Sequence, residues 1–490
     1  MTDTGTSGRT TTHSDVRRIA RNSVYQTIAY AAKALALFVV YLCLARAGGA
    51  ERLGDFATII TLVSLLNFVA AFGLPDLLTR EIARLREDPR QVGRLVNASI
   101  GLVVLMSLAA APVLAAAGWL LGYSGAGVAA LALAGLALAC EAMGNVVAAS
   151  FRGVEEMQWS SLVSIAMDAG FLVLALPVIA FSPTMTWLMA AYAASRLAAL
   201  VVAARLYVPR FGSLRAVRDH VLWRTLASGS FPFAATSVLS LVYVRIDVLF
   251  LSYLSGSATV GLYEAATSLA VRVNVLAYIV NLSLYPFLSY RFAQDRRSLR
   301  IYTARAIHQL LIPGFLAAVV FWAFSREIIA LLYGEEFLGA TGALRYFALI
   351  TPLRMIGHSL AIALRASDRQ GQSTIAVAVA ALLNVALNVL LIPRYHMMGA
   401  VVATILTEVA LFGTLLWYLR HEIAEMIRWR AFAAPLAGTL SVLAAAWLLD
   451  GVMNGYVLMA ACLLLYAAII VRLDRSSLTP LLEMMRRKPA

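Results

Sequence analysis

The sequence predicts an all-α polytopic membrane protein, and three observations predict it. Hydrophobic residues make up 61% of the 490 positions and charged ones only 13%, with a mean hydropathy of +0.81. Apolar runs of about 20 residues, the length that crosses a bilayer as helix, recur along the whole chain. The arginines gather in short polar stretches between those runs.

Hydropathy places about fourteen spans. They fall near 24–45, 55–78, 95–120, 126–149, 160–181, 184–206, 226–254, 260–288, 303–324, 341–364, 373–392, 398–419, 432–449 and 455–472. The N-terminal stretch MTDTGTSGRTTTHSDVRRIARNS is polar and is followed by a full span, not by a short apolar core with a cleavage site. The net charge of +14 comes almost entirely from arginine, since the lysines are Lys33 and Lys488. With both termini in the cytoplasm, roughly 30 basic residues fall inside and about five outside; the reverse orientation inverts that bias. This charge sets topology and needs no nucleic acid to explain it. Cys43, Cys140 and Cys462 lie in apolar runs with neither metal-ligand nor disulfide spacing.

Loops on both sides are short. The longest outer one, SREIIALLYGEEFLG (325–339), is partly apolar and suits the membrane interface. No catalytic outer domain and no GxxxxGK[ST] phosphate loop is present. The expectation is a carrier, not an enzyme, with no cofactor or metal; proton or sodium coupling stays open.

Two stretches repeat at a little over 200 residues. FRGVEEMQWSSLVSIAMDAGFLVLALPVI (151–179) parallels LRASDRQGQSTIAVAVAALLNVALNVLLI (364–392), with Arg152 opposite Arg365, and LGDFATIITLV (53–63) parallels VGLYEAATSLA (260–270). Six spans per repeat is an even number, so the halves are related by a parallel pseudo-two-fold axis. The division expected is a cytoplasmic tail 1–22, an N-lobe 23–208, a cytoplasmic linker 209–225 and a C-lobe 226–420. A cytoplasmic loop 421–431, a helix pair 432–472 and a cytoplasmic tail 473–490 follow.

Charges inside spans are expensive and therefore informative. LVYVRIDVLFLSYL (241–254) carries Arg245 and Asp247. Two positions on a helix put them about 200° apart, so they cannot neutralise each other and need different partners. In span 10, Thr351, Arg354, His358 and Arg365 share one face, which must meet protein or water; Arg365 alone also fits an end anchor. Lys33, on a face with Gln26, Tyr30 and Tyr41, reaches a cavity or snorkels. Span 8 stripes Thr267, Asn274, Tyr278, Asn281 and Tyr285, with Arg272 on another side. Asn384 and Asn388 are carbohydrate contacts or interhelical glue. The membrane acids Glu141, Asp168, Asp247, Glu264 and Glu408 are charge partners or ion-coupling groups. An excess of base over acid in a cleft between the lobes would suit an amphipathic anion, since the planar Arg donors bind phosphate oxygens in pairs.

Four stretches then carry a resemblance: LARAGGAERLGDFATIITLVSLLNFVAAFGLPDLLTREIAR (44–84), YVRIDVLFLSYLSGSATVGLYEAATSL (243–269), LLYGEEFLGATGALRYFAL (331–349) and NVALNVLLIPRYHMMGAVVATILTE (384–408). In this order the chain resembles the polysaccharide-biosynthesis, Wzx-type oligosaccharide flippases of the multidrug/oligosaccharidyl-lipid/polysaccharide (MOP) exporter superfamily. The resemblance implies a MATE-like fold of twelve or fourteen helices in two lobes in a bacterial inner membrane. It implies transfer of an undecaprenyl-diphosphate-linked glycan to the outer leaflet, with membrane lipids and polysaccharide polymerase or export proteins as partners. The related lipid II flippase lines its cleft with bases on early spans and on span 8; Lys33 and Arg272 correspond here, whereas span 2 offers only Asn67. The cationic cleft candidates are thus Lys33, Arg245, Arg272, Arg354, His358 and Arg365, with Asn67 and Asn274. The competing expectations are a MATE-type ion-coupled multidrug exporter, a lipid II flippase and a membrane-embedded glycan ligase or transferase.

Overall fold

The computed structural model describes residues 13–474, and the side chains of residues 1–20, 282, 283, 285–287, 289–294 and 296 are left aside. The expected tail segments 1–12 and 475–490, with Lys488, and the side chain of Tyr285 lie outside the described residues.

Every regular element among the described residues is a helix. Its elements are α1 (His13–Ala71), α2 (Leu74–Leu85), α3 (Pro89–Leu120), α4 (Ala126–Gly153), α5 (Met157–Phe181), α6 (Met185–Phe211), α7 (His220–Ser255) and α8 (Ser257–Gln294). Then come α9 (Arg296–Ala323), α10 (Ser325–Leu332), α11 (Thr341–Ala366), α12 (Gln370–Tyr418), α13 (Ile423–Met426), α14 (Ala433–Leu449) and α15 (Gly455–Leu473). Among the described residues, 11 helices are long and apolar enough to cross a membrane. Two of these are double: α1 folds back at Gly49 (φ 75°) and α12 at His396 (φ 49°). With the 38-residue α8, the crossings number fourteen.

The chain therefore alternates between two faces. The near face carries the start of α1, α2, the loops 86–88, 154–156, 212–219 and 367–369, and the stretch 419–432. The far face carries the turns at Gly49, 121–125, 182–184, Gly256, 324–340, His396 and 450–454.

Span 2 stops earlier than hydropathy suggests, at Ala71. Gly73 adopts a left-handed conformation and Pro75 follows, which ends one helix and starts another. The result, α2, is amphipathic and packs its apolar face (Leu74, Leu77, Leu78, Ile82) on the near-face ends of α4 and α7. Near-face helix starts are capped by acids. The Asp88 carboxylate accepts from the Arg90 and Gln91 amides, Asp219 from Leu222, and Asp295 from Arg297 and Ser298. These bonds, with Arg94 beside Asp219, hold all three carboxyls below the usual carboxylate range. The segment between α6 and α7 is stitched to α3: Asn97 donates to the Ser213 carbonyl (3.0 Å) and accepts from the Arg215 and Val217 amides (3.0 and 3.1 Å).

Helices α1 to α6 pack mainly on one another, as do α7 to α12, with α9 also carrying α14 and α15. The main contact between the groups is α1 against α8. At the far face this contact is made at backbone distance. A Cβ on Gly54 would stand 2.6 Å from the Ser257 carbonyl carbon and 2.9 Å from the Gly261 nitrogen. One on Gly261 would stand 2.7 Å from the Ala50 carbonyl carbon. Polar contacts reinforce the closure. Arg46 Nε donates to the Leu332 carbonyl (2.8 Å), and Glu336 accepts from the Ala50 amide (3.0 Å).

Candidate functional site

The membrane charges sort into three groups. The first is inside the N-terminal half. Arg196 of α6, 5% exposed, reaches Glu141 of α4 at 3.0 Å and Asp168 of α5 at 3.1 Å. Its guanidinium also lies over the Tyr192 ring, 4.2 Å from the centroid. Tyr192 and Asn67 donate to Glu141 at 2.9 and 2.8 Å. Both Glu141 oxygens thus have protein donors, as a buried carboxylate requires. Lys33 acts electrostatically on Glu141, yet it is exposed and makes no hydrogen bond or ion pair among the described residues.

The second group lies along the seam between the halves. Arg245 donates to both oxygens of the buried Glu264, each at 3.0 Å. Arg272, two turns further along α8, donates only to the Ser268 carbonyl (3.2 Å). Its cationic face rests on Phe38 and Tyr41 of α1, at 5.2 and 5.7 Å from the ring centroids. Its Nε is buried without a partner, and no carboxylate pairs with it among the described residues. Nearer the near face, Tyr30 and Tyr278 stack across the seam at 4.0 Å.

The third group lines a cavity of about 390 Å³ formed by α7, α8, α11 and α12, with Tyr30 contributed by α1. Arg354 Nε donates to Glu408 (2.7 Å), which also accepts from the Tyr243 hydroxyl. Asp247 accepts from the Val248 amide (2.8 Å) and from the Tyr263 hydroxyl. His358, Arg365 and Asn274 also line it.

Arg245 and Asp247 do point to different partners, as their angular separation requires. Of the sequence candidates, Arg354, His358, Arg365, Asn274 and Asp247 meet at this cavity. Lys33, Arg272, Arg245 and Glu264 belong to the seam or its margin, and Asn67, Glu141 and Asp168 to the N-terminal network. The cavity lining is balanced, two bases (Arg354, Arg365) against two acids (Asp247, Glu408), with His358 beside them. Arg354 in span 10 brought Glu408 of α12 with it. The hub Arg196 escaped notice because it is a lone arginine in an apolar run, AASRLAAL. An interior charge with no mate on its own helix was the available signal.

The polysaccharide biosynthesis protein family matches residues 19–291. The chain belongs to that family. A second family, MatE, matches residues 232–390. Among curated proteins the chain is 21% identical over 299 residues to an uncharacterized membrane protein of Methanocaldococcus jannaschii, covering 60% of this chain and 58% of that one. It is 26% identical over 189 residues to a probable low-salt glycan biosynthesis flippase of Haloferax volcanii, covering 37% and 39%. It thus spans less than two thirds of either relative. In fold it is similar to the lipid II flippase MurJ in an inward closed conformation (TM-score 0.76, 14% identity, 93% and 99% covered). It is also similar to an inward-facing MATE family transporter of the MOP superfamily (0.64, 16%, 81% and 98%). The fold of this polysaccharide biosynthesis family member is the MOP fold, with its two six-helix lobes.

Proposed function

We propose that this protein is a flippase for a polyprenyl-diphosphate-linked oligosaccharide, carrying it from the cytoplasmic to the outer leaflet of a bacterial inner membrane during surface polysaccharide synthesis. The near face is the cytoplasmic one, because the arginine-rich loops lie there. The observation that carries the reading is Arg272: a guanidinium in the seam between two lobes, backed by aromatic rings and in no ion pair among the described residues, in a chain of the polysaccharide biosynthesis family. A cation so placed is stabilised by a bound anion, and a diphosphate offers paired oxygens to its planar donors. Lys33, exposed on α1, adds a second cation. The polyprenyl tail stays in lipid while the head crosses between the lobes by alternating access. The far-face contacts described above close one exit, so the structure corresponds to the state in which the outer path is shut.

The acids of the cavity raise a second reading, an ion-coupled exporter of cationic compounds. It is the weaker one, because Glu408 is held by Arg354 and Tyr243, and Asp247 by Tyr263 and a backbone amide.

Deleting the gene should make lipid-linked glycan accumulate on the cytoplasmic side. Wild-type protein should clear it, and an Arg272→Ala variant present at equal membrane level should not. Full clearance by that variant would remove the anion-binding role.

A further inference from the structure

A second cavity, about 380 Å³, opens at the far face. It straddles the lobes: Asp55, Tyr123, Ser124 and Met185 come from the N-lobe, Ser252 and Ser257 from the C-lobe. Gly122 and Gly256 in its lining have positive φ, and a Cβ on either would meet nothing within 4 Å. In its lining Asp55 Oδ1 accepts from the Ser257 hydroxyl (2.5 Å) and the Tyr123 hydroxyl (3.3 Å). The other carboxylate oxygen makes no hydrogen bond among the described residues.

The position of this cavity relative to the first is set by shared helices. On α7, Asp247 lines the inner cavity and Ser252 the outer one; on α8, Tyr263 lines the inner and Ser257 the outer. Five and six residues of helix rise by roughly 8 and 9 Å. The two cavities are therefore successive stations along the same pair of helices, in the direction of export.

We propose that this outer cavity is a subsite for sugar hydroxyls, contacted by the glycan end of the cargo and distinct from the cationic seam that takes its diphosphate. The proposal rests on the flippase reading. A carboxylate ringed by hydroxyls and bare backbone is chemistry suited to a polyol: neighbouring hydroxyls can donate to the two carboxylate oxygens and accept from serine and tyrosine in return. It does not suit the phosphate, which Asp55 would repel. It is also a poor metal site, since no cluster of three His, Cys, Asp or Glu side chains able to hold a metal occurs among the described residues. Occupation has a mechanical consequence. A sugar hydroxyl that takes the place of Ser257 at Asp55 keeps the carboxylate satisfied while releasing one bond between the lobes at the far face.

The test uses the full chain in nanodiscs with Ser252→Cys, labelled by a charged, membrane-impermeant maleimide. Three probes are compared: lipid-linked oligosaccharide extracted from a strain lacking the transporter, undecaprenyl diphosphate, and calcium ion alone. At a saturating level the glycan-bearing lipid should slow labelling severalfold, because an occupied cavity shields the thiol, and the other two should not. Protection should vanish in Asp55→Ala and weaken in Tyr123→Phe, while binding of undecaprenyl diphosphate is unchanged in both. Equal protection by undecaprenyl diphosphate, or protection by calcium, would overturn the sugar assignment. Binding of the glycan lipid without protection at Ser252→Cys would overturn the subsite and leave the flippase reading intact. Absence of glycan-lipid binding to the parent protein would overturn both.

Discussion

Replacing Gly261 by alanine tests the closed far face. The added Cβ would lie 2.7 Å from the Ala50 carbonyl carbon. Ordinary contact begins near 3.4 Å, so α1 and α8 must part by at least 0.7 Å there, and backbone cannot swing aside as a side chain can. Forcing one extra methyl into a packed interface costs about 1–3 kcal/mol. Because the cost falls only on the closed state, it shifts the closed-to-open ratio by about 5- to 150-fold. The assay is labelling of Ala50→Cys, buried at this contact, in intact cells by an impermeant thiol reagent. Gly261→Ala should raise the labelling rate by a factor in that range and lower glycan export, with membrane levels preserved. Gly371→Ala, where a Cβ meets nothing within 4 Å, is the control and should change neither. Unchanged labelling in Gly261→Ala would refute the claim that this backbone contact holds the lobes together.

Three further outcomes are expected. Arg196→Met leaves Glu141 and Asp168 without their cation; removing one partner of a buried ion pair costs about 3–5 kcal/mol, read as a clear fall in the melting temperature of the purified protein, while Arg196→Met with Glu141→Gln and Asp168→Asn recovers part of it. Arg272→Lys keeps the charge but loses the paired donors, so glycan export should fall partially where Arg272→Ala abolishes it. Arg354→Ala frees Glu408 inside the cavity and should stop export with insertion intact; full export in that variant would place Arg354 outside the transport path.

The fold was legible because membrane helices announce themselves by length and apolarity. Lipid satisfies no backbone group, so long helices are what crosses it. Boundaries were less legible where local geometry overrides hydropathy. The run 55–78 reads as one span, yet Gly73 and Pro75 divide it. The turns at Gly49 and His396 each consist of little more than one non-helical residue. The polar stripe Arg354–His358–Arg365 reads from helical spacing alone, and the structure puts all three at one cavity. Its charge balance does not read, because Glu408 and Asp247 arrive from other helices, and the sequence says nothing about which crossings touch. The same limit hid Asp55, which lies near a span end and resembles any interfacial acid. Its partner Ser257 is 202 positions away.

The central claim is that the two lobes pass a lipid-linked glycan across the bilayer. Its most direct test is reconstitution: purified chain in liposomes loaded with lipid-linked oligosaccharide, and a glycosidase added outside. The predicted result is digestion of more than the half of the glycan that starts in the outer leaflet, with the excess lost in Arg272→Ala. Digestion that stops at the level of protein-free liposomes would contradict the account.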